Sequence, residues 1–245
     1  MRYVKKRIWS GAVLEQIVYP IADSARNAKT AAPRLRFKTE EDRIKHREGI
    51  ARRRYAELFN ANFGVTSVYS TLTFNDKNEV FSFREARQIR AAFLRRLKYA
   101  YPDAVITLVM GRGEHTHRIH FHMVSEGIPK VEIMRQWIYG EIARIENLRA
   151  ENWYKVNGVL QNQGKDYSGL ANYLFDHWAV EQGGHHYYFT RNRVEPEEEE
   201  PKEIKRSYTV AAPPRAPEGY KLVEVKHTDY GYIYFKYVFL SNYRS

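Results

Sequence analysis

Histidines are concentrated in one short segment of this sequence. Four of the nine, His115, His117, His120 and His122, lie within eight residues in G-R-G-E-H-T-H-R-I-H-F-H-M-V. Because side chains alternate between the two faces of a strand, we expect His120 and His122 to share one face. Two imidazoles on one face can bind a divalent cation when a third ligand is near, and Glu114 is the candidate for that ligand. The alternative is that the pair is only the polar side of a half-buried strand, with His115 and His117 in the preceding loop.

The segments around this histidine pair alternate between strand and helix patterns. Short runs of β-branched and aromatic residues indicate strands, and apolar residues at helical spacing indicate helices. The predicted strands cover residues 65–74, 104–110, 118–124, 152–160 and 185–190, and the predicted helices cover 82–100, 130–145 and 168–180. This order is that of a split β-α-β unit. The predicted fold class is therefore α+β, with a ferredoxin-like or RRM-like antiparallel sheet and helices packed on it.

Further segments flank the predicted sheet on both sides. Residues 1–38, interrupted by prolines, are interpreted as an irregular arm that leads into a helix over about 39–60. The charged run 195–206 and the proline-rich run 211–217 are typical of solvated linkers, whereas 220–226 and 232–240 predict a hairpin. The predicted domains are a basic N-terminal arm and helix (1–64), a central domain (65–194), a linker (195–217) and a C-terminal β-hairpin (218–245).

A tyrosine lies on the predicted helix that follows the histidine strand. It is Tyr173, in G-L-A-N-Y-L-F-D-H. The strand S-T-L-T-F, the H-F-H hairpin and this tyrosine helix have the order and spacing of the three motifs of HUH endonucleases. In particular, the chain resembles the rolling-circle replication initiators of phages and small plasmids. The resemblance covers residues 65–195, and it extends weakly to H-H-Y-Y-F-T-R-N-R-V-E-P, which is similar to the strand and basic turn after the tyrosine helix of such initiators.

The resemblance implies a covalent, metal-assisted reaction on single-stranded DNA. A divalent metal, Mn²⁺ or Mg²⁺, on His120, His122 and Glu114 would polarise the scissile phosphate and offset the charge that builds on its oxygens. Tyr173 would attack in line and leave a 5′-phosphotyrosine and a free 3′-hydroxyl. Because the bond to tyrosine conserves the energy of the phosphodiester, the strand can be rejoined without ATP.

The tyrosine motif departs from the family pattern at two positions. The family usually has lysine three residues after the tyrosine, where this chain has Asp176, and some members have a second tyrosine at the next position, where this chain has His177. Residues i+3 and i+4 lie beside residue i on a helix, so both side chains are expected to flank Tyr173 and are candidate catalytic residues. His177 is expected to hydrogen-bond the tyrosine or a substrate phosphate in place of the lysine. Tyr167 is the rival nucleophile.

The charge balance favours a polyanionic partner. The formal net charge is +11, and each Lys or Arg placed against a phosphate releases a condensed counterion. Aromatic residues around positions 187–189 could also stack on unpaired bases. The alternative is that these charges are solvated faces. The candidate DNA-binding residues are Arg52, Arg53, Arg54, Arg95, Arg96, Lys98, Arg191 and Arg193.

Other sequence features limit the possible classes of protein. The absence of cysteine excludes disulfides, thiol nucleophiles and thiolate zinc sites. No apolar run of membrane-spanning length and no signal peptide is recognisable, so we expect no membrane association and a location in the cytoplasm of a bacterial host. Because no P-loop motif is present, a host helicase would have to separate the strands at the replication origin, and a host DNA polymerase would extend the 3′-hydroxyl. The alternatives are a relaxase or single-strand transposase of a mobile element, and a catalytically decayed nucleic-acid-binding protein on the same fold.

Overall fold

The structure is a computed structural model. It describes residues 2–21, 39–113, 116–156, 158–177, 187–205, 207–209, 211–227 and 232–240. The chain divides into two compact units, each of which is built from more than one segment. One unit comprises Met1–Ala61, Glu151–Ser168 and Glu195–Ser245, and the other comprises Asn62–Ala150 and Gly169–Val194.

The elements follow one another in this order along the chain. The strands are β1 (Arg2–Ser10), β2 (Val13–Ile21), β3 (Val68–Leu72), β4 (Val105–Arg112), β5 (Ile119–Glu126), β6 (Ile142–Asn147), β7 (Trp153–Val156), β8 (Val159–Asn162), β9 (Tyr188–Phe189), β10 (Glu197–Glu198), β11 (Lys202–Ile204), β12 (Tyr220–His227) and β13 (Ile233–Phe239). The helices are α1 (Glu40–Asn62), α2 (Phe83–Ala100), α3 (Lys130–Gln136) and α4 (Ser168–Asp176), with a short 3₁₀ turn at Asp76–Asn78.

The second unit contains the predicted antiparallel sheet. Its strand order is β6-β3-β5-β4-β9, and α2 connects β3 to β4 while α3 connects β5 to β6. The first four strands therefore have the order and connections of a ferredoxin-like sheet, which confirms the predicted α+β class. One face is apolar, and its buried Leu108 and Phe121 form a core with Phe93 of α2 and with Trp137. Helices α2 and α3 thus cover one face of the sheet, and the polar residues of the same strands lie on the other.

The fourth strand of this sheet is not the predicted one. The helix predicted over 130–145 ends at Gln136, and β6 occupies Ile142–Asn147. The apolar positions 138, 142 and 145 have helical spacing by coincidence, because Ile138 is exposed and the next two belong to β6. Gly140 lets the chain return against β3, since a Cβ there would lie 2.2 Å from the carbonyl oxygen of Thr73. The strand predicted over 152–160 is also wrong: β7 and β8 form a separate two-stranded hairpin that turns at Gly158, where φ is +82°.

The first unit contains a sheet that the sequence prediction missed in part. Its strand order is β10-β1-β2-β13-β12, with β11 also paired to β1. The prediction of an irregular arm is therefore wrong for residues 2–21, which form the hairpin β1–β2. Pro20 does not break β2, because the pairing of β2 with β13 ends at Val18 and only β1 still runs beside the proline. The predicted C-terminal hairpin is confirmed as β12–β13, and it joins this sheet through β2.

The charged run after residue 195 is also ordered in part, contrary to its interpretation as a linker. Two short segments, β10 and β11, pair with β1. The run is acidic where β1 is basic, and the resulting ion pairs join Glu203 to Arg2 at 3.2 Å and Glu198 to Lys6 at 2.5 Å. This complementarity explains why a low-complexity acidic segment lies against a strand. No helix among the described residues is long and apolar enough to cross a membrane.

Candidate active site

The two histidines of β5 lie together on the polar face of the five-stranded sheet. His122 is buried, with 4% of its surface exposed, and His120 is half-buried. Their Nε2 atoms are 3.1 Å apart, so in this arrangement one ring donates an N–H to the lone pair of the other. The predicted pairing of His120 and His122 on one face is confirmed. His117 lies in the β4–β5 loop, as expected, and is exposed with φ at +55°.

A glycine on the neighbouring strand makes room for the His120 ring. Gly111 of β4 is the register partner of His120. A Cβ built on Gly111 would lie 2.5 Å from His120 Nε2 and 2.8 Å from Cε1. The imidazole therefore lies across β4 in space that any other residue would fill. The predicted strand over 104–110 ends at the residue before this glycine.

Hydrogen bonds from β3 fix the orientation of His122. The hydroxyl of Tyr69 is 2.9 Å from His122 Nδ1, and Thr71 donates to the Tyr69 oxygen at 3.0 Å. Thr71 is the register partner of His122, so both β3 residues lie on the same face as the histidines. A partner on Nδ1 fixes the ring orientation of a histidine. Tyr69 and Thr71 are site residues that the sequence analysis missed, although their alternation in V-Y-S-T-L places them on one face.

Burial keeps both imidazoles neutral. It is the main cause that lowers the pKa of His122 to about 3, and the neighbouring His120 and His177 lower it further. The pKa of His120 is also lowered, mainly by burial. A neutral imidazole has a free lone pair, which is the form that binds a metal ion.

Tyr173 of α4 lies against this histidine pair. Its ring centroid is 5.9 Å from that of His122, and 43% of the residue is exposed. His177 packs on the Tyr173 ring with centroids 3.9 Å apart, and its Nδ1 is 2.9 Å from the Tyr173 carbonyl oxygen. Because a carbonyl oxygen can only accept, Nδ1 carries a proton, and the lone pair of the neutral ring is then on Nε2. The structure thus brings Tyr173, His177, His120 and His122 together.

The contacts expected for the other predicted catalytic residues differ from those in the structure. His177 hydrogen-bonds the main chain of Tyr173 rather than its phenol. Asp176, the last residue of α4, is exposed. The rival nucleophile Tyr167 is only 2% exposed, packs against Phe59 and has its pKa raised by burial. A phenol buried in this way is a core residue, so Tyr173 is the better candidate for a nucleophile.

The histidine pair has a spacing that suits a shared metal ion. Two nitrogens bound to one cation at about 2.1 Å in neighbouring octahedral positions would be about 3.0 Å apart, which is close to the 3.1 Å between the Nε2 atoms. Glu114, the predicted third ligand, lies outside the described residues, as does His115. Within the described part of the chain, no group of three or more His, Cys, Asp or Glu residues forms a metal-binding cluster. The two imidazoles therefore fit two ligand positions, and the remaining ligands must come from elsewhere.

Several of the predicted DNA-binding residues have protein partners. Arg53 pairs with Glu15 at 2.7 Å and with Glu57 at 3.0 Å, and Arg54 contacts Glu195. Arg52 lies in the same helix, half-buried.

The predicted DNA-binding residues in the unit with the five-stranded sheet include some that contact other residues and some that are exposed. Arg96 donates to Gln136 O at 3.0 Å, and Lys98 donates to Ala104 O at 3.1 Å. Arg193 lies over the ring of Phe189, with 5.8 Å between its guanidinium carbon and the ring centroid. Arg95 and Arg191 are exposed. These positions leave the DNA-binding assignment a prediction.

Neither family models, curated proteins nor solved structures include a match to this chain. The function must therefore be inferred from the residues of the site itself.

Proposed function

We propose that this chain nicks and joins single-stranded DNA through a covalent 5′-phosphotyrosine and thereby initiates rolling-circle replication. The observation that carries the proposal is the packing of an accessible tyrosine, Tyr173, against His122, one of two neutral imidazoles that share one sheet face. The ring centroids of Tyr173 and His122 are 5.9 Å apart. A phenol and a pair of nitrogens able to bind a metal ion are groups that this reaction requires.

Tyr173 and His177 have separate roles in the proposed reaction. The Tyr173 oxygen attacks phosphorus and forms a new ester bond, while the bond from phosphorus to the 3′ oxygen breaks. The phenol proton must leave as the new bond forms, and the departing 3′ oxygen takes up a proton to become a hydroxyl. His177 Nε2 is the basic nitrogen of the ring packed on Tyr173, and it is a candidate to accept the phenol proton. Attack by a 3′-hydroxyl on the phosphotyrosine reverses the same steps and rejoins the strand.

His120 and His122 would hold the divalent cation, Mn²⁺ or Mg²⁺. Such an ion supplies positive charge to the oxygens of the scissile phosphate and makes its phosphorus more electrophilic. Imidazole ligands favour Mn²⁺ over Mg²⁺. Burial of His122 lowers the local dielectric constant, which strengthens this electrostatic effect.

The biological setting follows from the product. A free 3′-hydroxyl at a nicked replication origin is a primer for a host DNA polymerase, and the absence of a P-loop motif leaves strand separation to a host helicase. Both would act in the cytoplasm of a bacterial host. A relaxase or a single-strand transposase uses the same chemistry on a different DNA site.

The test is formation of a denaturation-resistant covalent adduct. The protein is incubated with Mn²⁺ and single-stranded DNA from the replicon that encodes it, and the adduct is resolved on a denaturing gel. We expect an adduct with the wild type and with Tyr99→Phe, a control that removes the hydroxyl of a tyrosine that is 92% exposed. Tyr173→Phe and His122→Ala should form none, whereas His117→Asn should react normally.

Three outcomes would change the assignment. An adduct that persists in Tyr173→Phe would exclude Tyr173 as the nucleophile. Binding of the strand without an adduct under any divalent metal would favour the non-catalytic alternative, for which Asp176 in place of the motif lysine is the specific indication. Adduct formation only on transfer-origin or transposon-end sequences would show a relaxase or a transposase.

A further inference from the structure

Arg144 of β6 lies on the same sheet face as the histidine pair. The register pairs Thr71 with Arg144 on one side and with His122 on the other. Residues paired directly across strands point to the same face of a sheet. Arg144 and His122 therefore stand two strands apart in one row, with Thr71 between them. The sequence analysis missed Arg144 because it placed this segment in a helix.

The guanidinium of Arg144 lies over the Tyr69 ring, with 5.5 Å between its central carbon and the ring centroid. Tyr69 in turn contacts His122 Nδ1. A planar cation stacked on an aromatic face keeps its N–H groups at its edges, where they can donate to an anion. Tyr69 thus holds the positive charge of Arg144 beside the histidines, because its own hydroxyl contacts His122.

The present partner of Arg144 is a carboxylate at the surface. Its NH2 group donates to Glu146 Oε1 at 2.5 Å, and the side chains are 54% and 43% exposed. Exposed ion pairs of this kind contribute little to stability, so an incoming phosphate can replace the carboxylate at small cost. Guanidinium binds both anions through the same two-pronged geometry.

We propose that Arg144 is a phosphate-binding residue of this site and grips a phosphodiester of the single strand next to the one held at His120 and His122. The inference rests on the proposed function and deepens it. A guanidinium at this place supplies a cation from the sheet, whereas the tyrosine helix has Asp176 where a lysine is expected. A phosphate contact is independent of base identity, so Arg144 would position the strand without selecting its sequence.

The experiment measures binding of a fluorescein-labelled oligothymidylate by anisotropy in EDTA, at a series of NaCl concentrations. Arg144→Gln removes the charge and keeps a polar side chain. Loss of one phosphate contact to single-stranded DNA lowers the slope of log K against log salt by about 0.7 and weakens binding about five-fold at 0.1 M salt. Arg144→Lys should keep the slope, because the charge remains.

Arg135→Gln is the matched control. Arg135 belongs to the same unit, is exposed, and pairs with Glu132 at 2.6 Å. It lies on α3, outside the polar face of the sheet. We expect its slope to equal that of the wild type. Equal slopes for Arg144→Gln and Arg135→Gln would overturn the proposal.

Adduct formation separates this inference from the proposed function. If Arg144→Gln slows the adduct with an unchanged salt slope, Arg144 only orients Tyr69 and the phosphate contact is wrong. If the slope changes as expected but the wild type forms no adduct, Arg144 binds phosphate and the nicking function is wrong. Thermal unfolding at the wild-type temperature shows that each variant is folded.

Discussion

Replacing Gly111 by alanine should disable the site while leaving the fold intact. The new Cβ would lie 2.5 Å from His120 Nε2, and ordinary contact begins at 3.4 Å. The imidazole must therefore move by about 1 Å, by rotation about its own side-chain bonds, which breaks its contact with His122. Gly111 is not one of the glycines with a left-handed φ, so its backbone conformation also suits alanine. The lower flexibility of alanine in the unfolded chain contributes about 0.4–1 kcal/mol to stability, which offsets part of the cost of moving the ring.

The Gly111→Ala substitution should affect adduct formation and metal binding far more than the stability of the fold. A displacement of about 1 Å moves His120 Nε2 out of the arrangement in which it faces His122 Nε2 at 3.1 Å. Misplacement of a catalytic group by about 1 Å typically costs about 100-fold in rate. We expect the rate of adduct formation to fall by about this factor, and Mn²⁺ affinity measured by titration calorimetry to fall with it.

Gly64→Ala is the control for this substitution. Gly64 belongs to the same unit, and a Cβ there meets nothing within 4 Å. Its adduct rate and Mn²⁺ affinity should match the wild type. Wild-type Mn²⁺ affinity in Gly111→Ala would refute the argument that the pair needs this glycine, and a large loss of stability would refute the argument that the conflict is confined to the ring.

Three further predictions follow from contacts in both units. Tyr69→Phe removes the hydroxyl on His122 Nδ1 and should lower Mn²⁺ affinity 10- to 100-fold with a normal melting temperature; unchanged affinity would show that the bond is incidental. Burial raises the pKa of Glu57 to about 7 from its ordinary 4.5, so the folded state holds this proton more tightly than the unfolded state. The free energy of unfolding should therefore fall by at most about 3 kcal/mol as pH rises from 4.5 through 7, and urea titrations of Glu57→Gln should lack this slope. Lys236→Met leaves Asp166 buried without the ion pair at 2.5 Å and should cost about 3–5 kcal/mol, which addition of Asp166→Asn should partly restore.

The α+β class and the histidine strand could be predicted because local pattern and tertiary role agree there. Period-two alternation in β5 puts both imidazoles on one face, and the apolar stripe of α2 packs on the other. The prediction was wrong where spacing was ambiguous. Apolar residues 138, 142 and 145 fit a helix as well as a loop followed by a strand, and only the pairing of β6 with β3 distinguishes the two.

The partners of the histidines could not be predicted from the sequence, because they depend on register. Gly111 faces His120 and Thr71 faces His122 only once the strands have been paired. A shift by one residue would put the opposite face of each strand against the histidines. The same limitation hid Arg144, which reaches the site across two strands. For the basic residues, composition gave the net charge but not the group that each residue binds, since Arg53 binds the carboxylates of Glu15 and Glu57.

The hydrogen bond between the two histidines links metal binding to the role of Tyr69. With Nε2 facing Nε2, one of the two nitrogens must carry a proton, whereas a shared cation requires lone pairs on both. Because neither ring is charged, that proton has to move to Nδ1 of the same ring when the ion binds. At His122 the Nδ1 partner is a hydroxyl, which can donate to a bare nitrogen in one state and accept from N–H in the other. A carbonyl oxygen at that position could accept from N–H but could not donate to a bare nitrogen. Tyr69 therefore lets His122 exist both with and without a cation and keep its ring in place, which a fixed acceptor at that position would not allow.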